Sequence, residues 1–336
     1  MRIFRGPCHY GHELLPDLPF GWRDLVTRGI IVLQRKMRKP LEYDINGDDT
    51  HNEAIHDLIE QDTPCLLSRF GTGELEATIR GRDIALPLSK LKKASLLFSD
   101  GIGPFWWDNS IRAGLCNNAG FFPPTPDMMQ RFSDLVLQDV KEIDLLGAYP
   151  EMPARYRQEL FPQAKLIPLA SLEPFKHIHP WTAALGGRKV LVIHSIPDTI
   201  ARQYKNRQAL FANPEMLPEF QLLTYKSVNS AMGIKTGFAT WFDALDRMKD
   251  DIAKHDFDTA LIGCGAYGMN LGAFIKRDLK RQAIHLGGMT QLLFGIRRKR
   301  WEAAPAYRTL FNDAWTRPLP HETPSATKRI EGGCYW

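Results

Sequence analysis

The sequence predicts an α/β fold, a Rossmann-like and mostly parallel sheet with helices on both faces, preceded by a helical N-terminal extension. Short apolar runs of strand length recur along the 336 residues and alternate with longer segments of helical periodicity. Residues 259–301 join a strand, a glycine-rich turn, a helix, a second strand and a second glycine turn. Because such units build parallel sheets, they indicate one large α/β domain or two closely joined halves.

The first element is a helix in an extension that covers residues 1–50. Apolar positions predict this helix over Trp22–Met37, and the basic cluster Arg35–Lys39 overlaps its end. A helix of this kind either lies on an anionic membrane surface or packs against its own domain. A peripheral contact with the inner membrane surface is therefore one of two expectations for this segment.

The Rossmann-like domain is predicted over residues 51–316, in halves of about 51–150 and 151–316, and residues 317–336 are expected to form an irregular arm. The predicted strands are Cys65–Ser68, Ile143–Gly147, Lys165–Pro168, Val190–His194, Gln221–Tyr225, Thr259–Ile262 and Gln282–Leu286. The predicted helices are Asn52–Glu60, Leu91–Phe98, Phe105–Leu115, Asp127–Val140, Ala154–Leu160, Thr199–Leu210, Thr240–Lys254 and Met269–Leu279, with one more starting near Glu74.

The composition is that of a globular protein, with 44% apolar residues and a formal charge of +5. No apolar run is long enough to span a bilayer and the N-terminus lacks the pattern of a secretory signal, so we expect a cytoplasmic protein. Five scattered cysteines without a C-x-x-C pair predict free thiols. Basic patches at Arg35–Lys39 and Arg297–Arg300 suit either an anionic partner or a solvated face, and we expect no nucleic-acid partner.

Polar or glycine-rich turns follow four of the predicted strands, at the edge where open parallel sheets bind ligands. These turns are Arg69–Glu74, His194-Ser195, Gly263–Gly268 and His285–Gly288. Backbone amides in such turns, and the positive end of a following helix, favour a diphosphate group. The candidate site residues are Arg69, Gly71, Thr72, Glu74, His194, Ser195, Gly263, Gly265, Tyr267, Gly268, His285, Gly287 and Gly288.

The candidate residues each have a functional and a structural interpretation. Arg69 can pair with a phosphate. Glu74 can bind a divalent cation, Mn²⁺ or Mg²⁺, act as a general base, or simply suit the N-terminus of a helix. His194 and His285 can contact phosphate or shuttle a proton, or be hydrogen-bonded structural groups. The G-x-G-x-x-G turn at 263–268 can contact phosphate or only connect a strand to a helix.

Other classes of site are less well supported by the sequence. The G-x-G-x-x-G of NAD enzymes requires an acid at the end of the next strand, where this chain has His285. Ser195 lies outside any G-x-S-x-G elbow, which argues against a serine hydrolase. The aromatic residues have two interpretations: they line a site for a sugar or a nucleotide base, or they belong to the hydrophobic core. They are Trp106, Trp107, Phe121 and Phe122.

Residues 69–74, RFGTGE, resemble the R-F-G-x-x-E motif of the GT-D type glycosyltransferases. The later turns GCGAYG and AIHLGG and the ending EGGCYW look like those of related uncharacterised bacterial proteins from surface-polysaccharide loci. The resemblance covers roughly residues 60–336. It implies transfer of a sugar from a nucleotide-diphosphate donor to a glycan acceptor, in capsule or lipopolysaccharide biosynthesis.

The resemblance also implies roles for individual residues. Arg69, Gly71, Thr72 and Glu74 would bind the donor, and the turns at 263–268 and 285–288 would line the same cleft. In the family an Asp-x-Glu pair binds manganese and the diphosphate, but Thr72 stands at the position of the aspartate. Glu74 is the acid that remains, either as a metal ligand or as a base. The alternatives are another Rossmann-like enzyme, an NAD-dependent oxidoreductase or a methyltransferase, and a non-catalytic glycan-binding module.

Overall fold

The computed structural model describes residues 19–37, 48–97, 102–149 and 156–323. Its centre is a parallel sheet of seven strands, in the spatial order β3-β2-β1-β7-β6-β4-β5. The strands are β1 Leu66–Arg69, β2 Leu145–Ala148, β3 Lys165–Pro168, β4 Lys189–His194, β5 Gln221–Lys226, β6 Thr259–Gly263 and β7 Gln282–His285. The predicted α/β fold class is therefore confirmed, and each predicted strand is present within a residue or two of its predicted ends.

Helices connect and cover these strands. They are α1 Phe20–Met37, α2 Asp49–Glu60, α3 Thr72–Ala85, α4 Lys90–Leu96, α5 Asn109–Ala113, α6 Pro126–Asp139, α7 Arg157–Leu160, α8 Pro197–Lys205, α9 Trp241–Ile252, α10 Tyr267–Arg277, α11 Met289–Leu293 and α12 Lys299–Ala303. The predicted position of Phe98, the start of the helix predicted from Ala154, most of the C-terminal arm and residues 1–18 and 38–47 lie outside the described residues.

One predicted helix, Phe105–Leu115, is wrong in its first turn. The helix begins only at Asn109, because the Asp108 carboxylate accepts a hydrogen bond of 3.1 Å from the backbone N–H of Ile111 and so caps α5. The chain then continues as a π-helical turn over Gly114–Asn118. The aromatic residues before the cap pack into the core instead of extending the helix.

The central strands bury both of their faces, because alternate side chains enter two different cores, whereas the edge strand β5 is only partly buried. Leu66 of β1 packs with α3, α6, α9 and α10, whereas its neighbour Leu67 packs with α2, α8 and α11. This two-sided burial explains why the strands appear in the sequence as continuous apolar runs. No helix within the described ranges is both long enough and apolar enough to cross a bilayer.

The connections at the carboxyl edge leave neighbouring strands towards opposite faces. After β1 and β6 the chain enters α3 and α10 on one face, and after β7 and β4 it enters α11 and α8 on the other. In space the four strands are adjacent, in the order β1-β7-β6-β4. Because the chain departs alternately to the two sides, a crevice opens above their ends, as at the switch point of other open α/β sheets.

Candidate functional site

A cavity of about 360 Å³ lies at this crevice. All the candidate site residues line it except Gly268. Four turns that are far apart in the sequence thus meet in one place, above the ends of β1, β4, β6 and β7. Other residues also line the cavity, although the sequence did not indicate them as site residues. They are Gly73, Gly114, Asn117, Asn118, Ala119, Ser227, Val228, Asn229, Ser230, Ala231, Cys264 and Arg298.

Arg69, the last residue of β1, presents a guanidinium group to the cavity. Its Nη2 donates a hydrogen bond of 2.8 Å to the carbonyl of Phe70, and its Nε is buried without a hydrogen-bond partner. Within the described residues, no carboxylate forms an ion pair with it. A buried donor without a partner is costly, so this side chain has capacity for an incoming acceptor.

Glu74 lies in the first turn of α3 and is the one carboxylate among the lining residues. Its carboxyl group folds back over Gly71, where a Cβ would overlap it. Burial raises the pKa of Glu74 above its ordinary value, and hydrogen bonding to its own backbone N–H and the charge of Arg69 offset this only in part. The group is therefore a better proton acceptor near neutral pH than an exposed glutamate.

His285, at the end of β7, is buried and neutral. Its Nδ1 lies 3.1 Å from the Ser68 hydroxyl oxygen. Burial, helped by the positive charge of Arg69, lowers its pKa to about 3. On its other side the ring packs directly on Gly268, where a Cβ would overlap Nε2. Gly268 thus makes room for His285 and is not part of the cavity wall.

His194, at the end of β4, is also buried and neutral. The backbone N–H of Ile196 donates a hydrogen bond of 3.2 Å to Nδ1, so the proton of the neutral ring is on Nε2. The Nε2 atom of Gln291 lies 3.3 Å from the ring Nε2, and Oε1 of Gln291 is buried without a hydrogen-bond partner. Because the ring carries its proton on Nε2, the amide must turn its oxygen towards the ring to accept that proton. Burial and the nearby Arg298 lower the pKa of His194 to about 3. Both histidines line the cavity, but neither supplies a positive charge.

The turn after β6 is fixed by close backbone contact. Gly265 has φ +61°, and a Cβ there would stand 2.6 Å from the carbonyl oxygen of Ala119. The same carbonyl accepts a hydrogen bond of 2.9 Å from the N–H of Ala266. Glycine is thus required at 265 for its backbone conformation and for the approach of the π-helical turn, which supports the structural interpretation of that position.

Tyr267 begins α10, and its side chain belongs to the core. The ring stacks on Trp241 with centroids 5.0 Å apart, and the hydroxyl lies 3.1 Å from that of Ser230. The predicted aromatic wall, unlike Tyr267, is absent from the cavity lining. Trp106, Trp107 and Phe121 are buried. These rings belong to the hydrophobic interior, as one of the two interpretations predicted.

Three groups of lining residues escaped the sequence analysis for different reasons. Ser227 follows β5 directly, and its hydroxyl is buried without a hydrogen-bond partner. A search for polar residues directly after each predicted strand would have identified Ser227 as a candidate site residue. Asn117 and Asn118 come from the π-helical turn between α5 and α6, where no strand end marks them. Arg298 lies in a basic patch that the sequence showed, but its burial in the cavity depends on tertiary packing.

The donor atoms of the cavity do not fit a divalent cation. Glu74 is the one carboxylate in the lining, and two arginines share that lining with it, whereas Mn²⁺ and Mg²⁺ take oxygen ligands, usually carboxylates. A separate group, Asp198, His321 and Glu322, brings its ligand atoms within 4.8 Å of one another and could hold a metal ion. The Glu322 carboxylate already caps α8, accepting 2.8 and 2.9 Å hydrogen bonds from the N–H groups of residues 198 and 199.

The fold and the cavity define a class: an α/β protein with a ligand-sized, arginine-lined cavity at the carboxyl edge of a parallel sheet. No protein-family model, curated protein or solved structure shows significant similarity to this chain. The function is therefore argued from the site itself.

Proposed function

We propose that this protein is a glycosyltransferase that moves a sugar from a nucleotide-diphosphate donor to a glycan acceptor in capsule or lipopolysaccharide biosynthesis. The observation that carries the proposal is Arg69, a guanidinium group with a buried, unpartnered Nε at the end of a central strand. Around it lie a second arginine and three glycine turns in a cavity of about 360 Å³. That volume is within the range of small-molecule sites, and the charge suits a pyrophosphate group.

The resemblance to the GT-D motif supports the same proposal. Arg69, Gly71, Thr72 and Glu74, the positions that the motif would assign to the donor, all line this cavity. Residues of the turns at 263–265 and 285–288, which the sheet topology predicts at the same edge, line it too. The motif match rests on the sequence of residues 69–74, whereas the shared cavity rests on the sheet topology and the packing of the turns.

In the proposed reaction, the oxygen of an acceptor hydroxyl forms a bond to the anomeric carbon of the sugar. The bond between that carbon and the diphosphate oxygen breaks, and the nucleoside diphosphate leaves with the electron pair. Arg69 and Arg298 stabilise the negative charge on the leaving group. Glu74 accepts the proton of the hydroxyl, and its raised pKa suits it to this role. The neutral His194 and His285 line the donor site without adding a charge to it.

The resemblance to the GT-D motif implies a divalent cation, Mn²⁺ or Mg²⁺, bound at Glu74. The single carboxylate there does not fit such an ion. We therefore propose that the two arginines neutralise the diphosphate, and no step of the reaction needs a metal bound at Glu74.

Ligand binding and turnover together test this function. The purified protein is titrated by calorimetry with UDP- and GDP-sugars, NAD and S-adenosylmethionine, with EDTA or with Mn²⁺, and donor hydrolysis or transfer is then measured. We expect nucleotide sugars to bind and to turn over in EDTA. Selective binding of NAD or S-adenosylmethionine would instead favour an oxidoreductase or a methyltransferase. Glycan binding without any donor turnover would favour a non-catalytic module.

A further inference from the structure

The N-terminal helix α1 turns polar side chains towards the protein body. Arg23 donates a hydrogen bond of 3.2 Å from Nη1 to the carbonyl of Trp107. Gln34, near the other end of the helix, donates 2.9 and 2.8 Å hydrogen bonds from Nε2 to the carbonyls of Leu97 and Ile102. The helix is thus attached at both ends by polar contacts, which is the reverse of an ordinary amphipathic surface helix.

Between these ends the attachment is also polar. The Thr27 hydroxyl accepts a hydrogen bond of 3.2 Å from the indole N–H of Trp106. The Asp24 carboxylate accepts bonds of 2.7 and 3.0 Å from the backbone and side-chain amides of Asn109. Among residues 21–34, whose side chains are described, Ile30 is the apolar residue of α1 that is buried. These contacts fix which face of the helix points outwards.

The outward face of α1 is apolar. Trp22 and Leu25 are each 62% exposed and Val32 is 52% exposed. The exposed apolar positions follow the spacing of one helical face, and they are Trp22, Leu25, Val26, Val32 and Leu33. Gly29 lies in the same stripe and has no atom within 4 Å of where its Cβ would be. A contiguous apolar stripe of this kind marks an interaction surface.

The residues around this stripe are basic. Arg28 on α1 is exposed, and in the sequence the cluster 35–39, RKMRK, follows directly. In the neighbouring helix α4, whose end contacts α1 through Gln34, Leu91 is 86% exposed between the exposed Lys90 and Lys92. Asp24 is the one acidic residue in the sequence of α1, and its carboxylate accepts hydrogen bonds from Asn109. Apolar side chains are therefore combined with positive charge on this surface.

We propose that α1 docks on an anionic lipid surface, with its apolar face in the interface and its basic residues at the headgroups. Apolar burial combined with attraction to anionic lipid is what holds a helix in the plane of a membrane. A second copy of this chain is the less favourable occupant, because a symmetric dimer through α1 would bring the same basic groups together. The helix lies on the surface and does not cross it.

Docking through α1 also has a consequence for the cavity. The body residues that α1 contacts, Trp106–Asn109, lead through α5 directly into the π-helical turn, whose Asn117 and Asn118 line the cavity. The docked helix would therefore hold this wall of the cavity close to the membrane, where a lipid-linked glycan acceptor is available. This step depends on the proposed function, whereas the docking itself does not.

Sedimentation with vesicles tests the docking without any donor. The full chain is mixed with vesicles of neutral phosphatidylcholine, or with vesicles that also contain about 30% phosphatidylglycerol. The Trp22→Ser/Leu25→Ser variant removes the two most exposed apolar side chains of the stripe on α1. Ile178→Ser is the matched control, because Ile178 is a 78% exposed apolar residue outside α1. Molar mass is measured by light scattering for each protein.

We expect the wild type and Ile178→Ser to sediment with the anionic vesicles and not with the neutral ones. Trp22→Ser/Leu25→Ser should bind the anionic vesicles at least about tenfold more weakly, with an unchanged melting temperature. Equal vesicle binding by the wild type and this variant would overturn the proposal. A wild-type dimer that ignores vesicles and dissociates in the variant would also overturn it, in favour of a second copy.

Discussion

The guanidinium group of Arg69 lies against Gly287, so that a Cβ on Gly287 would stand 2.9 Å from Nη1 of Arg69. Gly287 also has φ +59°, in the left-handed region. The turn after β7 therefore approaches the arginine at the end of β1 through a residue without a side chain. This contact connects two of the turns that the sequence indicated, across the boundary between neighbouring strands.

Gly287→Ala should displace Arg69 and weaken donor binding by about tenfold or more, because the methyl group would occupy the space of the guanidinium. The substitution also strains the backbone, and Gly187→Ala controls for that strain, since Gly187 has φ +74° and no atom near its Cβ position. Calorimetric titration with the nucleotide sugar measures both variants. Equal affinities in the two variants would show that Gly287 does not position Arg69.

Arg69→Ala should weaken donor binding by about 1.5–3 kcal/mol, if the guanidinium makes a charge-assisted hydrogen bond to phosphate. Arg69→Lys keeps the charge but loses the planar set of donors, so we expect an intermediate affinity. The same titration measures both variants, and the melting temperature without ligand reports on the fold. An unchanged affinity in Arg69→Ala would assign Arg69 to structure.

The sequence predicted the central strands well because they are buried on both faces. Val190–Ile193, for example, is a continuous apolar run whose residues enter two cores in turn, and such a run has few alternatives to a central strand. Since parallel strands share one carboxyl edge, the turns after β1, β4, β6 and β7 could also be expected to meet there. The convergence of these turns therefore follows from local signals together with one rule of sheet topology.

The parts that the sequence did not predict depend on tertiary packing. The helix predicted from Phe105 begins four residues later, because burial of Trp106 and Trp107 outweighs their helical periodicity and Asp108 provides a cap. Asn117 reaches the cavity only because the π-helical turn packs on Gly265. Contacts of this kind join segments that are distant in the chain, so no local pattern shows them.

Glu74→Gln should abolish transfer while leaving donor binding and the melting temperature nearly unchanged, because the amide cannot accept the proton of the acceptor hydroxyl. In the wild type, transfer requires the ionised carboxylate, and burial raises the pKa of Glu74. The rate should therefore fall at a pH above the ordinary pKa of glutamate as the solution is acidified. A pH–rate profile of the wild type measures this limb, and full activity of Glu74→Gln would exclude Glu74 as the base.

Gly71→Ala offers a second test of Glu74 that keeps its carboxylate. A Cβ at residue 71 would overlap the folded-back carboxyl group and push it towards solvent. We expect the transfer rate to fall by about tenfold or more and the acidic limb of the profile to move to lower pH, since exposure lowers the pKa of the carboxyl. Gly237→Ala is the control, because its Cβ would enter open space. A profile identical to that of the wild type would contradict the assigned position of the carboxylate.

His194 and His285 should make the stability of the folded state depend on pH. The pKa of each imidazole is lowered from 6.5 to about 3, by burial and by Arg298 and Arg69 respectively. Between these values the unfolded chain binds protons that the folded protein does not. Their contribution to stability is therefore complete above about pH 6.5 and is lost as the pH falls, by about 1.4 kcal/mol per pH unit for each histidine.

Urea unfolding at about pH 7.5, 6 and 5 measures this dependence. His194→Gln and His285→Gln should each be less stable than the wild type at pH 7.5, because each loses a packed ring with its hydrogen bonds. Between about pH 6 and 5, however, the stability of each variant should fall less steeply than that of the wild type, since one titrating group is missing. Carboxylates with a lowered pKa, such as Asp251, do not produce this difference, because their contribution is lost only below about pH 4. Equal slopes in all three proteins would mean that the two histidines are charged, or exposed, in the folded state.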